Sequence, residues 1–272
     1  MALNLKKTGI RALSGIVYVA LIVLCVLGKQ LTIACLAIIF GLWGCMEFIA
    51  MANRDKSVKI FPLILDLSGL AALIAFPCGC PIWVWMLIML VRLSLAVYDR
   101  SETPLRNVSV SLATQIYIGI PMLTMVITGS EFPNYILLVF ILLWINDTGA
   151  FLVGSLLGKH KFIERVSPNK TWEGFIGGVI LSLVGSIIFC YTCADFFEFS
   201  YNNNIIVWLC LGLIVSCVGT IGDLFESRIK RALKVKDSGH SIPGHGGILD
   251  RIDSFLFAMP AAYILMMLLL DF

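Results

Sequence analysis

The chain has 272 residues and a formal net charge of +3. Hydrophobic residues make up 59% and charged residues 14%, with a mean hydropathy of +0.95, whereas a soluble domain carries about 25% charged residues. These values exclude an ordinary soluble domain and point to an all-α integral membrane protein, one polytopic domain over residues 1–272, with no nucleic-acid partner.

Apolar runs of about 20 residues span a bilayer as helices, and nine candidates follow in chain order, at roughly 13–28, 31–52, 61–77, 82–98, 114–129, 135–157, 173–193, 205–225 and 254–270. Residues 2–12 suit a short interfacial helix. The first stretch has the basic start and apolar core of a signal peptide. It has no obvious small-residue cleavage site and is read as retained. Placing Lys6, Lys7 and Arg11 in the cytoplasm puts the loops after the second, fourth, sixth and eighth helices there as well. Of the 20 basic residues, Lys29 alone then falls outside and Arg92 lies within a span. The nine cysteines are read mostly as small apolar packing residues.

Glu47, Asp66, Arg92, Asp147 and Asp223 fall inside or at the edges of predicted spans. An ionisable group there costs a few kcal/mol and is a functional candidate by default. The alternative for Glu47 and Asp66 is a structural partnership with Arg92. Asp147 sits in WINDTGAF beside Asn146 and Thr148, and three consecutive polar side chains do not all face lipid. The cytoplasmic loop GKHKFIERVSPNKTWEG, residues 158–174, adds Lys159, Lys161, Arg165 and Lys170. Ser167 or Thr171 is placed to cap the next helix.

The segment 222–254, GDLFESRIKRALKVKDSGHSIPGHGGILDRIDS, holds eleven charged side chains between two apolar runs. Asp223, Glu226, Ser227 and Lys230 share one helical face. Lys236 and Asp237 follow, then a glycine-rich turn in which Gly244, Gly246 and Gly247 surround His245. Glycines allow positive φ and let N–H groups face an anion. Asp250 and Asp253 then lie three apart on the next helix. Carboxylates suit Mg²⁺, which is usually held by one or two carboxylates plus substrate phosphates. Lys and Arg suit phosphate oxygens. The alternative is a solvated basic loop facing anionic lipid; it accounts for the bases but not for PGHGG.

Ser227-Arg-Ile-Lys230-Arg231, Lys236-Asp237, Pro243-Gly244-His245-Gly246-Gly247 and Asp250-Arg251-Ile252-Asp253 together resemble the signature of the phosphatidate cytidylyltransferase, or CDP-diacylglycerol synthase, family. The flanking GDLFES and the upstream SPNKTWEG resemble it too, with Asn169 where a second basic residue is usual. The resemblance implies a helical, dimeric, Mg²⁺-dependent membrane enzyme converting CTP and phosphatidic acid to CDP-diacylglycerol and pyrophosphate. It maps the paired metal-site aspartates to Asp223 and Asp250, with K⁺ as a second cation.

The expected phosphate-binding groups are Lys230, Arg231, Lys236 and Arg251, with N–H groups from the PGHGG turn. His245 is expected to hydrogen-bond a phosphate, Asp237 to position Lys236, and Asp253 to act as a further ligand or to orient Arg251. Asp147, Lys170 and Glu173 are expected on the opposite wall. The expected location is a bacterial inner membrane, with the site facing the cytoplasm. Rival readings are another CTP-using lipid enzyme, a transporter with Asp66, Arg92 and Asp147 on an ion path, and a structural protein with a lipid-binding loop.

Overall fold

The structure is a computed structural model that describes residues 5–53, 60–101, 103–197, 204–239, 241 and 246–270, with backbone alone at 5–12, 60 and 270. Gly244 and His245 lie outside the described residues.

Backbone in hydrocarbon must satisfy its own hydrogen bonds, so apolar runs free of breakers become helices. The first four are α1 (Leu5–Leu27), α2 (Gln30–Ala52), α3 (Ile60–Ile74) and α4 (Ile82–Ser94). Next come α5 (Pro104–Thr114) and α6 (Ile120–Glu131), joined through a π-turn at Gln115–Gly119, and then α7 (Pro133–Leu157). A short antiparallel hairpin, β1 (Lys161–Ile163) and β2 (Ser167–Thr171), precedes α8 (Trp172–Thr192), α9 (Ile205–Ala232) and α10 (Leu249–Leu270). Pro104 and Pro133 stand in the first turns of α5 and α7, where a missing N–H costs nothing.

All nine predicted stretches lie on helical segments. Among the described residues, six are long and apolar enough to cross a membrane: α2, the α5–α6 rod, α7, α8, α9 and α10. Leu13–Leu27, Phe61–Ile74 and Ile82–Tyr98 are apolar but shorter. The fold is therefore that of a helical membrane protein, with the small hairpin as an addition to the expected all-α architecture.

Several boundaries differ from the sequence reading, three of them in the second half of the bundle or at its approach. The fifth helix starts at Pro104 rather than near 114, because Ser109 and Thr114 return their hydroxyls to the carbonyls of Leu105 and Val110, both at 2.8 Å. The eighth runs on to Ala232, and the last begins at Leu249 rather than near 254.

Contacts divide the chain into two compact units, Met1–Ser130 with Leu233–Arg251, and Glu131–Ala232 with Ile252–Phe272. In the first unit, Asp66 and Arg92 are buried together. Arg92 Nε donates to Asp66 Oδ1 at 2.9 Å, and Ser111 Oγ donates to the same oxygen. Gln115 Nε2 donates to the Asp66 carbonyl at 2.9 Å and Arg92 Nη2 to that of Asn107 at 3.3 Å. The expected pairing of Asp66 with Arg92 is thus present. Glu47 does not join it.

In the second unit, small residues let helices meet at their backbones. A Cβ on Gly178 would lie 2.7 Å from the carbonyl oxygen of Asn146, and one on Gly174 2.8 Å from that of Ala150, which sets the approach of α7 to α8. Gly222 does the same for α9 and α10, since its Cβ would lie 2.6 Å from the Asp253 carbonyl. Tyr135 Oη donates to the Ala262 carbonyl at 2.9 Å, and the Phe140 and Phe255 rings stack at 4.1 Å. Outward faces carry exposed Leu156, Ile180 and Ile206, a pattern that lipid accepts and water does not.

Candidate active site

The second unit holds a cavity of about 520 Å³ whose polar wall is Asn146, Asp147, Asn169, Lys170, Thr220 and Asp223. Each wall element follows from local sequence. The hairpin folds back so that Trp172 N donates to the His160 carbonyl at 2.9 Å. Thr171 then caps α8, its hydroxyl accepting from Gly174 N at 3.2 Å, as expected for one of the two candidate caps. That turn places Lys170 beside α9, where its Nζ lies 2.6 Å from Asp223 Oδ2. Both side chains keep about a third of their exposure, 30% and 32%, so the pair is open to a ligand.

The predicted face of α9 is real. Ser227 Oγ donates to Asp223 Oδ1 at 3.3 Å, and Lys230 Nζ donates to Glu226 Oε2 at 2.8 Å. The close approach at Gly222 brings the first turns of α10 against this part of α9, with Asp253 near Glu226 and Asp223. Carboxyl groups gathered in this way favour a cation beside them.

Among the described residues no group of three or more His, Cys, Asp or Glu is arranged to hold a metal by itself. The donors present are all oxygen, two or three carboxylates without thiolate or imidazole. That set fits Mg²⁺ completed by substrate phosphates and water, not a structural Zn²⁺.

The first unit holds the other half of the signature. Asp250 accepts from Ser238 N at 3.2 and 3.0 Å and, through Oδ2, from Gly247 N at 2.8 Å. Gly246 has φ 84°, and a Cβ there would lie 2.6 Å from Asp250 Oδ2, so this position requires glycine twice over. Lys236, Asp237 and Arg251 are exposed.

Other predicted residues have different surroundings. Arg231 is exposed on α9 and donates through Nε to the Val166 carbonyl at 3.3 Å, bracing the hairpin. Glu173 does not line the cavity: its carboxylate takes the N–H groups of Lys159 and His160 and pairs with His160 Nδ1 at 2.5 Å. Asp147 lines the cavity as expected.

Sequence reasoning left out Thr220 and Asn146 as site members, and placed Glu226 on the α9 face without giving it a role. Thr220 lies three residues before Asp223, a helical spacing that was available to read. Asn146 is buried, with Oδ1 unpartnered among the described residues, and only its place beside Asp147 hinted at it.

A family model described as the cytidylyltransferase family matches residues 9–269. Among curated relatives, a phosphatidate cytidylyltransferase of Staphylococcus aureus (strain COL) is 37% identical over 266 residues, covering 94% of this chain and 98% of the relative. One of Staphylococcus epidermidis is 34% identical over the same shares of each chain. One of Staphylococcus haemolyticus (strain JCSC1435) is 43% identical over 176 residues, 65% of either chain. The signature residues had pointed the same way, and with a match spanning nearly every described helix the chain belongs to the cytidylyltransferase family.

Proposed function

We propose that this chain transfers the cytidylyl group of CTP to phosphatidic acid, giving CDP-diacylglycerol and pyrophosphate. The observation that carries the reading is the Lys170–Asp223 pair, about a third exposed on the wall of a polar cavity, in a unit whose outer faces suit lipid. A phosphate monoester is already largely anionic at neutral pH, its second pKa being about 6, so no strong general base is needed. A phosphate oxygen of the lipid attacks the α-phosphorus of CTP. A new P–O bond forms, the bond to the β-phosphate bridging oxygen breaks, and pyrophosphate leaves.

The obstacle is bringing two anions together, which charge neutralisation and in-line positioning overcome. Mg²⁺, when bound, supplies charge neutralisation on the triphosphate. Asp223 and Asp250 are its proposed ligands, with K⁺ as a second cation. Lys170 holds a phosphate oxygen while remaining against Asp223. Asn146 and Thr220 offer neutral hydrogen bonds deeper in the cavity. Asp253 is a further metal ligand or orients Arg251, and Lys236, Arg251 and the amide at Gly246 bind phosphate oxygens.

The proposal extends to nine membrane-crossing segments, the site on the cytoplasmic side of a bacterial inner membrane, and a homodimer. Purified protein in detergent, given CTP and phosphatidic acid, is expected to release one pyrophosphate per CDP-lipid. Excess chelator should abolish turnover, and added Mg²⁺ should restore it. Failure to form CDP-lipid from any of several phosphatidic acids would overturn the reading.

A further inference from the structure

Glu47 lies near the C-terminal end of α2, only 6% exposed, and its carboxylate accepts four hydrogen bonds. Oε1 takes Ser241 Oγ and, at 3.1 Å, Ile248 N. Oε2 takes Ser238 Oγ at 3.1 Å and Leu249 N at 3.0 Å. Each oxygen therefore receives one serine hydroxyl and one backbone amide. The two amides belong to the start of α10, whose first N–H groups have no partner within the helix and whose dipole favours negative charge. A residue on α2 thus caps a helix about two hundred residues away.

The same carboxylate dictates part of the signature. A Cβ on Gly239 would lie 2.7 Å from Glu47 Oε1, and one on Gly247 would overlap the carboxylate and Ser238 Oγ. These glycines are required by Glu47 itself. Ser238 relays the anchor: its hydroxyl donates to Glu47, its N–H donates to Asp250, and it accepts from Asp250 N at 3.3 Å. Trp43 Nε1, one turn before Glu47, steadies Ser241 at 2.9 Å.

We infer that Glu47 is a positioning residue for the proposed reaction, holding Asp250 in place through Ser238 and the first turn of α10. This rests on the reading of the chain as a nucleotidyltransferase. Glutamine is the informative substitution. It has the same shape, but its NH₂ group must face either Ile248 N or Leu249 N, and a backbone donor cannot turn into an acceptor.

The test compares full-length wild type with Glu47→Gln, Ser238→Ala and the double variant, reading kcat/KM for CTP, thermal midpoint and amide hydrogen exchange. Glu47→Gln is expected to lower kcat/KM by about tenfold or more, with faster exchange confined to Ile248, Leu249 and Asp250. The double variant should be little worse than Glu47→Gln, because both act through one relay. The inference is overturned if Glu47→Gln keeps kcat/KM within about twofold of wild type, or if exchange accelerates evenly along the chain, the mark of general destabilisation. If wild type itself does not turn over, the functional reading fails, and exchange decides the positioning alone: local acceleration supports it, and none overturns it.

Discussion

Two aspartate–cation pairs occupy apolar surroundings, and they differ in what else touches them. Asp66 and Arg92 have side chains only 6% and 8% exposed, and Ser111, Gln115 and the Asn107 carbonyl complete their hydrogen bonding. Asp223 and Lys170 are four to five times more exposed, and they line the 520 Å³ cavity with Asn146 and Thr220. A smaller cavity of about 250 Å³ touches the first pair, but both of its charges are engaged with protein partners. A buried pair with its hydrogen bonds completed reads as structural, and a partly exposed pair beside open space reads as a candidate site.

Substitutions can break that comparison or sharpen it. The largest effect is expected from Arg92→Met, which leaves Asp66 buried and uncompensated at a cost of about 3–5 kcal/mol. The thermal midpoint in detergent should fall steeply, while folded survivors keep their turnover. Adding Asp66→Leu should recover much of the loss, and a failure to recover would mean that the pair does more than hold helices. Lys170→Met should do the reverse, lowering turnover by about a hundredfold with the midpoint little changed. Equal losses of stability from the two variants would erase the distinction. Gly178→Val tests the close approach beneath the cavity and should cost about 1–3 kcal/mol, read as a lower midpoint. Thr171→Ala removes only a helix cap and should cost about 1 kcal/mol.

Much of this was legible in the sequence, because lipid imposes one rule on the backbone and the hydrophobic runs report it directly. The i, i+4 pairs from Asp223 to Ser227 and from Glu226 to Lys230 were legible for a similar reason, since helical spacing alone brings them together. The start of α10 at Leu249 was not, because its cap comes from Glu47 on α2 and no local residue signals it. The start at Pro104 was masked by serines and threonines that look like a loop until their hydroxyls find helix carbonyls. The hairpin was hidden in SPNKT, a polar run without strand alternation, whose form is fixed by its pairing with Lys161–Ile163.

The most direct test of the central claim is the CTP-dependent turnover of phosphatidic acid by the Asp223→Asn variant, measured beside wild type in the same detergent with Mg²⁺ present. The account predicts a folded variant with a normal melting profile and turnover reduced by about a hundredfold. A variant turning over within about twofold of wild type would contradict it, and would move the chemistry away from the cavity of the second unit.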